Sequence, residues 1–273
     1  MTSPTKKKTK SPAKLEQKEY VVAFLDFLGA SEKMKSPEES DDFLQKIKDI
    51  YDFIRKFANK SQRYNIANIK ARMFSDNIVF AHQLNNSDQE ENSEKIPPCF
   101  SVIAFAYTFM FESMQKGLWI RGGITIGDFA VTGNFIYGNA LVRAYELENS
   151  SAIYPRILVD HKLIDFIKQN DRDDIIDNFL ALDFDGEYYL KLFNELSNIY
   201  TNNNGFKVIE GIKKNIETEL SKNNSDVRKR QKIYWIANKF NMYCEENSLL
   251  EKKIMIENES NLHRSSHEPS AVK

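Results

Sequence analysis

Apolar positions along the chain switch between two rhythms, one of strands and one of helices. Residues 20–27 are an almost unbroken apolar run of β-branched and aromatic side chains, closed by Gly29, and predict a buried central strand. Ser36-Pro37-Glu38-Glu39 then has the composition of a helix start, with serine as N-cap, proline at the first helical position and glutamate at the third. The helix behind it places Phe43, Leu44, Ile47, Ile50, Tyr51, Ile54 and Phe57 on one face. Residues 71–74 and 78–80 flank Ser75-Asp76-Asn77, whose residue types favour a tight turn, so a β-hairpin is predicted with Asp76 at or beside its tip.

Residues 85–94 read as a polar, acidic loop. Helical spacing returns over 100–114 through Ile103, Ala104, Tyr107, Met110, Phe111 and Met114. Residues 118–126 predict a strand and 129–136 its hairpin partner, 138–148 a helix, and 156–159 another strand. Two further strands are expected at 179–184 and 187–192. Residues 206–247 read as two helices, the second with Ile233, Ile236, Phe240 and Tyr243 inward. The order β-α-β-β-α-β-β-α-β predicts an α+β sandwich, a mostly antiparallel sheet with helices on one side.

Composition narrows the function classes. A chain of 273 residues with 41% hydrophobic content and 19 phenylalanines can bury one large core, with room for a small appendage. Basic and acidic residues nearly balance (38 against 39), so no global field points to nucleic acid. Two cysteines, Cys99 and Cys244, are the frugal usage of a reducing compartment. The four histidines show no ligand spacing for zinc, and His82 and His161 read as structural. No apolar run has the length to span a bilayer, and the N-terminal lysines precede no apolar region. The expectation is a cytoplasmic protein that engages neither membrane nor nucleic acid. Residues 1–17 and 251–273 predict disordered tails, the first basic.

Chemistry concentrates in two aspartates, each set in a short apolar stretch: Asp26 and Asp76. A charge among buried apolar residues is costly unless something pairs with it. Two carboxylates brought together beside neighbouring strands suit a hard divalent cation, which brings phosphates and waters with it. The bland alternative is that Asp26 caps the next helix and Asp76 makes an Asx turn. Just after Asp26, Gly29 and Ala30 are small enough for backbone N–H groups to approach phosphate oxygens. Arg121 opens a Gly-Gly strand where a ligand or another backbone comes close. Arg143 could reach phosphate or pair with Glu146 along its helix.

Taken together, Phe24-Leu25-Asp26-Phe27-Leu28-Gly29, Phe74-Ser75-Asp76, Arg121-Gly122-Gly123-Ile124 with Gly127, and Tyr137-Gly138-Asn139 with Leu147-Glu148 resemble the motifs of class III nucleotidyl cyclases, in order and spacing over residues 18–165. The segments 144–148, 154–157 and 232–237 resemble one branch, the bacterial pyrimidine cyclases of Pycsar antiphage defence. The resemblance implies a cyclase domain over 18–195 and a helical extension over 196–250. It implies two Mn²⁺ or Mg²⁺ ions on Asp26, Asp76 and the backbone carbonyl of Phe27, with Phe27, Leu28, Gly29, Ala30 and Arg121 around the substrate. It further implies a homodimer with active sites at the interface, conversion of UTP or CTP to the 3′,5′-cyclic nucleotide and pyrophosphate, and a separate effector protein that binds the product.

Within that resemblance, the base-reading positions are Arg72, where adenylyl cyclases carry lysine, and Phe135, where they carry aspartate. An arginine fork only donates, which suits the carbonyls of uracil or cytosine and favours UTP. The asparagine and arginine that usually stabilise the transition state align with Val142 and Glu146; Asn139 and Arg143 keep the same mutual spacing about one helical turn earlier. The alternative is a degenerate cyclase-like module that binds nucleotide or a partner without turnover.

Overall fold

The computed structural model describes residues 15–60, 69–84, 97–193, 205–222 and 226–255. Strand β1 (Lys18–Phe27) is central, paired antiparallel with β3 (Asn77–Gln83) on one side and β4 (Ile120–Thr132) on the other. β2 (Lys70–Phe74) forms the predicted hairpin with β3, and the turn between them holds Ser75 at φ 54° and Asp76. Beyond β4 come β6 (Ile157–Val159), β8 (Tyr188–Leu190) and β7 (Leu180–Leu182), in the order β2-β3-β1-β4-β6-β8-β7. Among the described strands only β4 and β6 run parallel, so the sheet is mostly antiparallel, and the fold is α+β as predicted.

Two expectations about the strands need correction. Residues 129–132 belong to β4 itself, and the hairpin partner is the short β5 (Phe135–Tyr137), turned at Gly133 with φ 52°. Helices also cover both faces of the sheet, not one. Along β1, Val21, Ala23 and Leu25 enter the larger core, while Tyr20, Val22 and Phe24 enter a second one with Ala140 and Ala144 of α4 (Asn139–Glu146). A strand apolar at every position has two faces to bury, which is why the run 20–27 shows no alternation.

The larger core is built by α2 (Pro37–Lys60), α3 (Pro98–Gln115), and the C-terminal helices α7 (Gly205–Lys222) and α8 (Val227–Glu246). The turn before α2 also carries a short helix, α1 (Ala30–Lys33), which the sequence pattern did not predict. On α2, Phe43, Ile47, Ile50 and Ile54 are buried as expected; Leu44 points to solvent, and the side chain of Phe57 lies outside the described residues. Buried side chains circle α3 on all sides, since it runs between the sheet and the C-terminal helices. Asn215 of α7 donates to the carbonyls of Met114 (3.0 Å) and Gln115 (3.1 Å), satisfying acceptors that a helix C-terminus leaves open. Two further helices, α5 (His161–Gln169) and α6 (Asp173–Phe179), connect β6 to β7.

The inward residues predicted for α8, Ile233, Ile236, Phe240 and Tyr243, are all buried. The tail expected from residue 251 is held at its start, because Ile254 is buried and exchanges hydrogen bonds with the Asn241 side chain at 2.7 and 3.0 Å. The loop 85–94, the basic residues 1–14 and the segment 256–273 lie outside the described residues. Both cysteines are buried thiols.

His82 on β3 is 1% exposed on the α3 side of the sheet, and neither ring nitrogen has a hydrogen-bond partner among the described residues. Burial, with a lesser push from Lys70, lowers its pKa to about 4. The folded state therefore holds a neutral imidazole where the unfolded chain takes a proton below pH 6.5. Stability from this group is complete above pH 6.5 and is lost progressively as pH falls towards 4, by about 3 kcal/mol in total. Urea unfolding at pH 7 and 4.5 should show that loss in the parent and a clearly smaller one in His82→Leu.

Candidate active site

Asp26 is the penultimate residue of the central strand β1, beside the β2–β3 turn, and the Phe27 N–H donates to the Asp76 carbonyl at 3.3 Å. That bond ties the hairpin tip to the end of β1. Across β1 the register sets Asp26 opposite Arg121, the second residue of β4. The Arg121 Nη2 lies 3.2 Å from the Asp26 carboxylate and 2.6 Å from Glu148. Glu148 arrives on the same face of the sheet, from the end of α4, where residues Leu147–Ser151 widen into a π-helical turn and direct it inward. It is 3% exposed.

Two carboxylates, Asp26 and Glu148, thus share one guanidinium, and the charge of Asp76 acts on both. Burial raises the pKa of Asp26 against the lowering effect of Arg121, and the Asp76 charge raises it further. Burial likewise raises Glu148, with Asp26 and Asp76 adding to it and Arg121 opposing. The Glu148–Arg121 contact lacks hydrogen-bond geometry, so Arg121 Nε and Glu148 Oε1 are buried without a hydrogen-bond partner among the described residues. A cluster with surplus negative charge and a carboxylate oxygen short of a hydrogen-bond partner is poised for a cation.

The bland alternatives do not hold for Asp26. Gly29, not Asp26, caps the following helix α1, and no side chain bonds there. Among the described residues the Asp76 side chain accepts only a 3.2 Å bond from the neighbouring Asn77 side chain. Among the described residues no group of three or more His, Cys, Asp or Glu side chains is disposed to hold a metal ion. A pair of aspartates nevertheless fits Mg²⁺, which takes one or two carboxylates and completes its shell with substrate phosphates and water.

The Gly-Gly pair after Arg121 serves packing. A Cβ on Gly123 would strike the Ala144 carbonyl and Leu147, and one on Gly122 would strike Leu25, so these glycines let α4 and β1 close against β4. Arg121 is accordingly the counter-ion of Asp26 and Glu148, not a free surface arginine.

Arg72 lies on the α4 side of the sheet, opposite Val79. Arg72 donates from Nε to the Gly133 carbonyl at 2.6 Å and from Nη1 to the Ala71 carbonyl at 2.7 Å, which holds it against the β4–β5 turn two residues from Phe135. Phe135 is exposed and stacks on Tyr137 with ring centroids 6.4 Å apart.

Asn139 and Arg143 do not join the carboxylate cluster. Arg143 pairs with Asp160 at 2.9 Å, and Thr125 donates to the same carboxylate at 2.7 Å; Glu146 is only a distant partner at 3.9 Å. Thr125 stands four residues along β4 from Arg121, roughly 13 Å at the strand rise. Asn139 opens α4 exposed, beside Ala140 over Gly127, roughly 20 Å along β4 from Arg121.

Glu148 is the member of the cluster that sequence reasoning left out of the site. It was visible as the last residue of a motif, but a glutamate ending a helix reads as surface charge.

Comparison with protein-family models returns no match, and comparison with curated protein sequences returns none. Among solved structures the chain is similar to the adenylyl cyclase CyaB from P. aeruginosa (17% identity, 65% of this chain and 95% of that chain, TM-score 0.46). It is similar to the guanylyl cyclase domain of the RhoGC fusion protein from the aquatic fungus Blastocladiella emersonii (16%, 64% and 96%, TM-score 0.44). A further similar structure is the adenylate/guanylate cyclase/hydrolase from Silicibacter pomeroyi (18%, 64% and 96%, TM-score 0.38). At such identities likeness says nothing of activity or substrate.

Proposed function

We propose that this chain is a class III nucleotide cyclase that converts a pyrimidine nucleoside triphosphate, UTP ahead of CTP, to the 3′,5′-cyclic nucleotide and pyrophosphate. The observation that carries the reading is the convergence of Asp26 and Asp76, fifty positions apart in sequence, into one partly buried cluster with surplus negative charge. In this reading Asp26, Asp76 and the Phe27 carbonyl hold two Mg²⁺ or Mn²⁺ ions. Those ions, when bound, neutralise the triphosphate and lower the pKa of the attacking 3′-hydroxyl. The turn Phe27, Leu28, Gly29 and Ala30 positions the phosphates. Arg121 keeps Asp26 and Glu148 oriented, and Arg72 offers its unspent N–H groups to the carbonyl edge of the base beside the Phe135 ring.

The homodimer has its own support. Phe74, Phe135, Tyr137, Val142 and Tyr145 are all exposed, and they belong to the hairpin tip, β5 and the outer face of α4. Phe24 joins two of them, 6.4 Å from Phe74 and 5.5 Å from Tyr145. An exposed aromatic surface beside a site is the mark of an interface. Asn139 and Arg143, removed from their own chain's carboxylates, would act on the site of the second copy. In the pyrimidine-cyclase reading the product is a second messenger of antiviral defence, read by a cyclic-nucleotide-binding effector.

Val142 and Glu146 in the usual transition-state positions favour a second reading, a module that binds nucleotide without turnover. Purified protein with Mn²⁺ and equimolar ATP, GTP, CTP and UTP separates the two. Mass spectrometry should detect cyclic UMP foremost. A cyclic purine would overturn the base assignment, and nucleotide binding with no cyclic product would favour the second reading.

A further inference from the structure

A cleft of about 570 Å³ opens between the C-terminal helices α7 and α8 and the turn that follows β1, a volume in the range of small-ligand sites. Leu28 and Gly29 line it, only two and three residues beyond Asp26, and so does Trp119, whose carbonyl accepts from the Leu28 N–H at 2.8 Å. Six lysines face it against four carboxylates.

Four of those lysines are already partnered: Lys46 with Asp42 (2.7 Å), Lys116 with Asp49 (3.2 Å), Lys222 with Glu219 (3.9 Å) and Lys229 with Glu32. Lys33 and Lys232 have no ion pair among the described residues. Both are half-buried. Lys33 rests over the Phe43 ring, 5.4 Å from its centroid, and Glu219 and Glu39 act on it only from beyond ion-pair distance. Burial lowers its pKa first, and the charges of Lys46 and Lys222 add to that. Lys232 is likewise lowered, by burial and then by the positive charge of Arg121, which places it within electrostatic reach of the arginine that pairs with Asp26. Two desolvated ammonium groups facing one cleft, with like charges around them, are stabilised by an anion that enters it.

We propose that α8 completes the substrate site: Lys232, with Lys33 across the cleft, binds the terminal phosphates of the nucleoside triphosphate, the portion released as pyrophosphate. The inference rests on the cyclase reading for its substrate and adds the C-terminal helices to the machinery. Lys232 and Lys33 are substrate-binding residues here; the bond-forming atoms remain at Asp26 and Asp76.

Inorganic pyrophosphate is the probe, titrated calorimetrically into the parent, Lys232→Ala, Lys33→Ala and Lys232→Arg, with thermal unfolding run on each. The parent should bind pyrophosphate, and each alanine variant should bind about tenfold more weakly at an unchanged unfolding midpoint. Lys232→Arg, which keeps the charge, should stay within about threefold of the parent. With UTP as substrate the alanine variants should raise KM by a similar factor. Affinity unchanged in both alanine variants, or no binding to the parent at millimolar pyrophosphate, would overturn the proposal. Pyrophosphate binding through Lys232 in a protein that forms no cyclic product would uphold the anion site and remove the cyclase reading, so the two fail separately.

Discussion

Asp76→Asn should abolish cyclic nucleotide formation, by roughly a thousandfold or more, equivalent to about 4 kcal/mol of barrier, while leaving the fold intact. The asymmetry follows from where Asp76 sits. Its side chain is half-exposed at a hairpin tip and, among the described residues, accepts only one bond, from its neighbour Asn77, so the fold gains little from it. Its charge presses on both Asp26 and Glu148, raising the pKa of each, and a cation held between the aspartates is what would turn that repulsion into binding energy. Removing the charge should leave the thermal midpoint unchanged or slightly raised, and Mn²⁺ titration should show lost binding. Retained turnover in Asp76→Asn would disconnect this cluster from the reaction.

The second large effect concerns stability. Arg156 is fully buried and bonds Asp183 and Asp185, and Asp183 also accepts from Trp235 Nε1 and Lys239 Nζ, each at 3.0 Å. Tyr154 stacks on Trp235 at 5.7 Å, and Lys239 lies 4.9 Å from the centre of the Tyr189 ring. This network fastens α8 to the sheet. Asp183→Ala would leave a buried guanidinium and an ammonium short of their shared counter-charge, a loss of about 3–5 kcal/mol. For a chain of this size that lowers the unfolding midpoint by about 10 °C. Asp185→Ala should cost clearly less, because its side chain is one-third exposed and Asp183 remains. Calorimetric scans of the two variants test the ranking, and equal losses would contradict it.

That network also joins residues 154–157 to residues 232–237. Residues 154–157 and 232–237 lie far apart in sequence, yet Tyr154 and Trp235 stack face to face. Nothing local in either segment forecasts the meeting. The one available signal was an arginine leading directly into the buried strand Ile157–Val159, a placement that demands a partner.

What was legible elsewhere follows the same division. The central strand, the hairpin with Asp76 at its turn, and helices α2, α3 and α8 all announce themselves through local period and turn chemistry, and the structure places them within a few residues of expectation. The nearness of Asp26 to Asp76 was readable because one lies near the end of an apolar strand and the other in the turn of a hairpin of apolar strands. The inward turn of Glu148 was not, since it depends on a π-helical turn and on an arginine 27 positions away. Arg143 was equally opaque: its i+3 neighbour Glu146 was the local candidate, while Asp160, from the start of α5, is the partner that binds it. Placement of α4 on the opposite face required knowing that Gly123 leaves room for its backbone.

The most direct test of the central claim is ³¹P NMR of the purified protein with Mg²⁺ and UTP, in parallel with Asp76→Asn. The account predicts loss of the three triphosphate resonances and equal growth of a cyclic 3′,5′-phosphodiester and pyrophosphate in the parent alone. Release of orthophosphate and UDP instead, or cyclic product from the Asp76 variant at the parent's rate, would contradict it.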